Sequence, residues 1–451
     1  MVNMAKIVLI GAGSHFFSRN IITDVLSYPE LRNSTVTLVG HVHQDPVELV
    51  AAFAQKMVKQ HGFATKIEST MNRREALKGA DYVLVAIRVG GSQAGRVDKE
   101  ITMKYGVDES AGDTIGPLGV FFGLRNVPVI LDICRDMAEL CPDALLINYT
   151  NPLAIIGWAV SDYTQIKNIG ICNGVQSTAA DLAKYLGVPG NELSYWVGGI
   201  NHMAWFLELK RRGQDVYPLL REKFRDPSVY SGQGAHVFGP DIVRAEVFKA
   251  FGYFCTETSP HLSEYLPYFR KRPELIEQYK LTIIERTPKE NEKIRREKDK
   301  ELKELISSEA ELPVVRKNDY GVSIINAIET GMPARITGNV KNTGLITNLP
   351  KGCCVEVFCL ADKEGLHPCH VGDLPPQLAA INRTNINVQE LAVRGIVEKD
   401  KTKIFQSILL DPLTSTVLTI DETRRMVDDM FEANAEFTKG INNVRYKSMT
   451  H

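Results

Sequence analysis

Cys172, in Gly170-Ile171-Cys172-Asn173-Gly174, and His202, in Gly198-Gly199-Ile200-Asn201-His202-Met203, offer a thiolate and an imidazole, donors that suit a borderline divalent cation such as Mn²⁺, Fe²⁺ or Zn²⁺. Two protein ligands leave most of the coordination sphere to water and substrate oxygens, which is what a catalytic metal needs. Spacing alone leaves a second reading open, in which Cys172 is a small buried hydrophobe and His202 a hydrogen-bonded polar residue. Asn151, in Asn148-Tyr149-Thr150-Asn151-Pro152, is biased to extended backbone by the proline after it. Its amide then either reaches a ligand hydroxyl or serves ordinary turn chemistry. Asp113 stands among small residues in Glu109-Ser110-Ala111-Gly112-Asp113-Thr114. It is either a general base or supporting carboxylate, or the N-cap of the helix that carries Arg125.

A further segment is built for an anion. Gly11-Ala12-Gly13-Ser14 follows an apolar run and precedes helical periodicity. Strand, glycine turn and helix present backbone N–H groups and a helix N-terminus to a pyrophosphate. Gly11 allows the tight turn, Gly13 the close approach, and Phe16 stands where a third glycine is usual. Gly90, in Arg88-Val89-Gly90-Gly91, lies past another strand candidate, at the edge where such sheets bind ligands.

These segments need a scaffold, and the pattern supplies one. Up to residue 195, strand candidates at 7–10, 35–39, 82–86, 145–148 and 168–171 alternate with helix candidates at 16–26, 46–60, 73–78, 124–140 and 176–186. That alternation argues for a doubly wound parallel sheet. Beyond it, strand candidates at 334–340 and 354–360, a charge-dense helix at 289–303 and a helical tail at 421–437 argue for a mixed α/β domain. The expected division is 1–195 for a Rossmann-like dinucleotide domain and 196–451 for substrate, metal and oligomer contacts.

Bulk properties exclude several classes. At 451 residues the chain exceeds a single hydrophobic core. A net charge of −1 gives no reason to expect nucleic acid or a membrane surface. The expected location is cytoplasmic, with no apolar leader. Eight scattered cysteines without paired CxxC spacing read as reduced thiols.

The order Gly11-Ala12-Gly13-Ser14, Asp113-Thr114-Ile115-Gly116-Pro117, Asn148-Tyr149-Thr150-Asn151-Pro152, Gly170-Ile171-Cys172-Asn173-Gly174 and Gly199-Ile200-Asn201-His202-Met203 resembles glycoside hydrolase family four, and within it the melibiase-type α-galactosidases. The likeness continues through Glu257-Thr258-Ser259, His261-Leu262-Ser263-Glu264-Tyr265, residues 344–350 and residues 382–387. It implies a lactate/malate-dehydrogenase-like architecture and NAD- and Mn²⁺-dependent hydrolysis of a glycoside. In such enzymes NAD takes a hydride from C3 of the sugar, a base removes the acidified C2 proton, the C1 substituent leaves, water adds and the hydride returns. The resemblance makes Cys172 and His202 metal ligands, Asn151 a sugar-hydroxyl contact, Asp113 a support for deprotonation at C3 and Tyr265 the C2 base, with Tyr268 its near neighbour. A tyrosine base needs a nearby cation to lower its pKa. Gly11, Gly13 and Ser14 then hold the pyrophosphate, and a homodimer or homotetramer is expected.

Departures from the family pattern qualify that reading. No acid follows the second strand until Asp45, the intervening residues being Gly40-His41-Val42-His43, which puts the choice of NAD over NADP in question. Asn173 stands where related enzymes carry the histidine or aspartate proposed as leaving-group acid, and Leu118 replaces a usual glycine. Arg88, Arg125 and His261 are candidates to meet an anionic substituent, as on a uronic acid or otherwise modified sugar. An NAD-dependent sugar or 2-hydroxy-acid dehydrogenase and a non-catalytic NAD- or sugar-binding paralogue remain as alternatives.

Overall fold

The computed structural model describes residues 4–40, 44–232, 239–282 and 287–441. Among these residues thirteen strands form one sheet. Six run parallel: β1 (Lys6–Ile10), β2 (Thr35–Val39), β3 (Lys66–Thr70), β4 (Tyr82–Val85), β5 (Leu145–Asn148) and β6 (Asn168–Gly170). Their spatial order, β3-β2-β1-β4-β5-β6, is that of a doubly wound dinucleotide-binding sheet. Val83, Leu84 and Val85 are wholly buried, as an unbroken apolar strand covered on both faces must be.

The remaining strands extend this sheet: β7 (Leu193–Ile200), β8 (Met203–Arg211), β9 (Gln214–Asp215), β10 (Phe254–Cys255), β11 (Ala334–Lys341), β12 (Cys354–Asp362) and β13 (Gly365–Pro368). β11 pairs antiparallel with β6, and the path runs on through β12, β7, β8 and β10. The expected boundary after residue 195 therefore falls inside β7, and the sheet passes unbroken from one half of the chain to the other. What changes there is the pairing, from parallel crossovers to antiparallel hairpins, and this alters the sequence texture without ending the sheet.

Helices depart from the sequence pattern at several places, among them Leu153–Tyr163 and Pro376–Val397, which the pattern did not mark, and two that bear on the site. One spans Gly116–Leu140, starting eight residues earlier than expected, with Pro117 in its first turn. Its N-cap is Ile115, so Asp113 is free of the capping role left open above. A second, Gly91–Lys104, begins with glycine and lacks an apolar stripe. The charge-dense stretch is the helix Pro288–Ser307, held at its start by a Thr287/Glu290 capping box. Among the described residues, Gly116–Leu140 is the one helix long and apolar enough to cross a membrane, and 78% of its apolar window is buried inside the protein.

Candidate functional site

Register explains why distant motifs meet. Gly170 of β6 pairs with Asn339, Asn339 with Glu356, and Glu356 with Gly199, so these residues lie on one line across the sheet. Cys172 follows Gly170 by two residues, and His202 follows Gly199 by three. β7 and β8 are joined by the two-residue turn Asn201-His202, and His202 takes a left-handed backbone (φ 62°). Glu257, just past β10 and so beside β8, is also left-handed (φ 72°). Such a conformation costs a residue with a side chain about 1–2 kcal/mol, and it persists where surroundings over-determine it, often at functional sites.

His202, Glu257 and Cys172 form a cluster whose donor atoms lie within 4.8 Å of one another. The Cys172 Sγ is 3.7 Å and the His202 Nε2 3.8 Å from the Glu257 Oε1, and the Gly174 N–H points at the sulfur from 3.3 Å. Burial, then the Glu257 and Glu356 carboxylates, push the Cys172 thiol up. A thiolate, an imidazole and a carboxylate converging in a buried place are compatible with a cation among them, and a borderline metal matches that donor set.

The protons around His202 select the nitrogen that faces this cluster. Thr114 Oγ1 donates to Asp113 Oδ1 at 2.8 Å, and it lies 2.7 Å from His202 Nδ1. Since the hydroxyl has one proton and Asp113 takes it, the Nδ1 of a neutral ring carries its own proton and donates to Thr114. The lone pair is then on Nε2, the atom facing Cys172 and Glu257. Tyr265 also donates to Thr114 Oγ1, at 3.1 Å, and lies 3.3 Å from His202 Nδ1. A metal ligand held at its far nitrogen in this way keeps its tautomer and orientation. Asp113, His202 and His261 also lie within metal-ligand reach of one another, but the Thr114 bonds make that group a hydrogen-bonded network.

Asp113 is held on both oxygens, the second accepting from Asn151 Nδ2 at 2.8 Å. Burial pushes its carboxyl up, but His202, His261 and the bonds from Thr114 and Asn151 outweigh it and hold it below the usual range. The loops carrying these groups are laced together: Ile87 N–H donates to Thr150, Val89 N–H to Asn126, and Asn126 in turn to the Asn151 carbonyl. Tyr265 is 1% exposed and Tyr268 47% exposed, so only the first belongs to the site. Burial, then Asp113 and Glu264, push the Tyr265 phenol well above its ordinary value, the opposite of what a base requires from its protein surroundings.

The Gly11 turn lies at the same strand ends, next to β4. A Cβ on Gly11 would stand 2.1 Å from the Ala86 carbonyl oxygen, and its φ is +90°, so this glycine is required by the chain's own packing. A Cβ on Gly13 would meet only Pro46, at 3.5 Å, and Val47, at 4.0 Å. Gly11 and Ala12 N–H groups are taken by Val39, and the Ser14 N-cap makes no side-chain bond, leaving the first turn of the helix His15–Ser27 open to an anion. Residues 41–43, where the sequence lacks a ribose-binding acid, lie outside the described residues.

The structure thus brings together Asp113, Asn151, Cys172, His202 and Tyr265. Asn173 is exposed at the N-cap of the helix Gly174–Leu186, with no capping bond. Gly90 and Arg125 stand beside this group and make their own contacts outside it. The space over Gly90 is filled by Ala94, Phe437 and Arg125, so packing accounts for this glycine. Arg125, expected to meet substrate, instead pairs with Asp98 at 2.7 Å and donates to Asn434, both charged side chains being almost fully buried. It lines a cavity of about 830 Å³ with Arg88, Arg96 and Ser110 that stops at Gly112, one residue short of Asp113. Glu257 and Thr114 were not assigned roles from sequence. Each lies inside a quoted motif, but only tertiary folding faces them to Cys172 and His202.

A family model described as Family 4 glycosyl hydrolase matches residues 6–188, and one described as Family 4 glycosyl hydrolase C-terminal domain matches residues 197–414. The alpha-galactosidase of Bacillus subtilis (strain 168) is 39% identical over 439 residues, covering 96% of this chain and 99% of that protein. The alpha-galactosidase of Rhizobium meliloti (strain 1021) is 35% identical over 444 residues, covering 96% and 89%. The crystal structure of a 6-phospho-alpha-glucosidase from gut microorganisms, in complex with NAD and Mn²⁺, shares the fold with a TM-score of 0.80 at 19% identity, covering 97% and 99% of the two chains.

Proposed function

The chain belongs to glycosyl hydrolase family 4, and from that premise we propose that it hydrolyses α-galactosides by a hydride-borrowing route in place of the two-carboxylate scheme. The α-galactosidases at 39% and 35% identity support the choice of sugar. The observation that carries the reading is the convergence of Cys172, His202 and Glu257 in a sheet whose glycine turn and open helix start suit a dinucleotide. Gly13, Ser14 and the helix start would hold NAD. Cys172 Sγ, His202 Nε2 and Glu257 would hold the divalent cation. When bound, these groups supply a reversible hydride acceptor for C3, an electrophile for the oxygens on C2 and C3, and positive charge that favours a phenolate.

The chain's own residues handle the protons. Asp113, ionised and fixed by Thr114 and Asn151, accepts the proton of the C3 hydroxyl. Before that step Tyr265 Oη passes its own proton along Thr114 Oγ1 to Asp113, through contacts of 3.1 and 2.8 Å. Asp113 releases it to solvent beside His261, 4.0 Å away and 25% exposed, so that the carboxylate is free for the C3 proton and Tyr265 Oη for the C2 proton. Asn173 has no proton to give, so the leaving group takes its proton from solvent reaching that exposed residue. The cysteines among the described residues are all free, which suits a reducing cytoplasm.

The test is a nitrophenyl glycoside panel in D₂O with NAD, Mn²⁺ and a reductant. Release of nitrophenol from the α-galactoside, solvent deuterium at C2 of the freed sugar and no net NADH are expected. Net NADH without nitrophenol makes the protein a dehydrogenase, and no turnover of any glycoside rejects the proposal.

A further inference from the structure

Glu264 lies beside the proposed C2 base and is 3% exposed, with no part in the proton steps above. Its carboxylate is nonetheless the most heavily bonded in the region. The backbone N–H groups of Ser110 and Ala111 donate to Oε1, each at 2.5 Å, and that of Gly112 donates to Oε2 at 3.0 Å. The Ser110 hydroxyl is also bonded to Oε1 and lies 3.0 Å from the Pro260 carbonyl. Three consecutive N–H groups turned on one anion make a backbone nest, and Gly112 supplies its left-handed residue (φ +57°). The next residue along the loop is Asp113, and the next along the helix Ser259–Tyr265 is Tyr265.

We propose that Glu264 is a positioning residue: by filling the nest of residues 110–112 it locks the loop bearing Asp113 and Thr114 to the helix bearing Tyr265. The loop has no regular secondary structure between residues 107 and 115; Arg270 holds its start at Asp108 and Glu109 accepts from the Leu118 N–H, while the nest holds the three residues directly before Asp113. The consequence is a fixed Tyr265–Thr114–Asp113 path, which rests on the proton roles proposed above. A misplacement of about 1 Å in such a constellation lowers turnover by about 100-fold.

The experiment is a double-mutant cycle on the full-length protein with Glu264→Gln and Gly112→Ala. Glutamine turns an NH₂ group towards N–H donors, and a Cβ on Gly112 would stand 2.4 Å from the Leu118 side chain, so the two changes open the nest from opposite sides. Each single variant is expected to lose amide hydrogen-exchange protection at residues 110–112 and to lower kcat about 10- to 100-fold with KM within about threefold. The double variant should fall no further than the worse single one. Glu264→Asp, which keeps the anion, should recover part of the loss. Retained protection in Glu264→Gln, a kcat within threefold of wild type, or additive losses overturn the proposal. If one variant fails to fold, the other and Glu264→Asp decide by the same readings. A wild type without glycosidase turnover defeats the functional reading instead, and exchange alone then decides whether Glu264 holds the nest.

Discussion

Replacing Thr114 by valine removes one hydroxyl and keeps the shape of the side chain. That hydroxyl accepts from His202 Nδ1 at 2.7 Å and from Tyr265 at 3.1 Å, and donates to Asp113 at 2.8 Å. Thr114 and His202 are 3% and 5% exposed, so water does not readily replace it. A buried donor left unpaired costs about 1–3 kcal/mol. Part is relieved because Tyr265 Oη lies 3.3 Å from Nδ1 and can accept in its place, which favours the lower half of that range, roughly 1–2 kcal/mol. Since about 1.4 kcal/mol is a factor of ten, Mn²⁺ binding at Nε2 should weaken about 5- to 30-fold, overlapping the lower end of the roughly 10- to 100-fold expected for losing a second partner of a metal-bound histidine. Titration followed by the electron paramagnetic resonance of free Mn²⁺ reads this directly, with no need for substrate. Thr114→Ser, which restores the hydroxyl, should bind within about twofold of wild type. Equal Mn²⁺ affinity in wild type and Thr114→Val, or equal loss in the serine variant, refutes the assignment of Nε2 as the metal-facing nitrogen.

Four other outcomes follow from the structure. Arg125→Met leaves Asp98 buried and unpaired and should lower stability to urea by about 3–5 kcal/mol, with Arg125→Met/Asp98→Asn recovering most of it. Burial, opposed by the Thr414 N–H and hydroxyl, pushes Asp411 up to about 6. The folded state therefore keeps a proton that the unfolded chain releases, and stability declines as pH rises from about 4 through 6. Asp411→Asn should match wild type near pH 4 and exceed it at pH 8 by on the order of 2 kcal/mol in pH-dependent melts. Gly13→Ala should melt like wild type while weakening NAD binding measured by calorimetry. Gly11→Ala, whose Cβ would collide with the Ala86 carbonyl, should lose roughly 2–4 kcal/mol of stability.

Legibility in the sequence followed burial and locality. β4 could be read because Tyr82–Val85 is covered on both faces and must be apolar throughout. β3 could not, because Lys66–Thr70 is an edge strand paired only with β2, and its Lys-Ile-Glu-Ser-Thr sequence has one apolar residue. The helix Gly91–Lys104 escaped for a related reason, as only Asp98 and Thr102 of its residues are buried, and Asp98 is there for Arg125. Arg125 shows the converse difficulty. A cation near a strand-end loop suggested an anionic ligand, while its pairing with Asp98 of the same chain was invisible without tertiary structure. The site divides similarly. Cys172 and His202, open to a bland reading as residue types, could be paired through the family resemblance of the motifs that hold them. Glu257 and Glu264 could not, since a glutamate is ordinary in sequence and acquires its role from what faces it. Both lie in residues 257–265, and both serve partners more than fifty positions away, one completing the donor cluster with Cys172 and His202 and the other holding the loop before Asp113. The segment after β10 therefore links the proposed metal donors to the proposed proton path, a placement that depends on β10 pairing with β8 and so on the antiparallel half of the sheet.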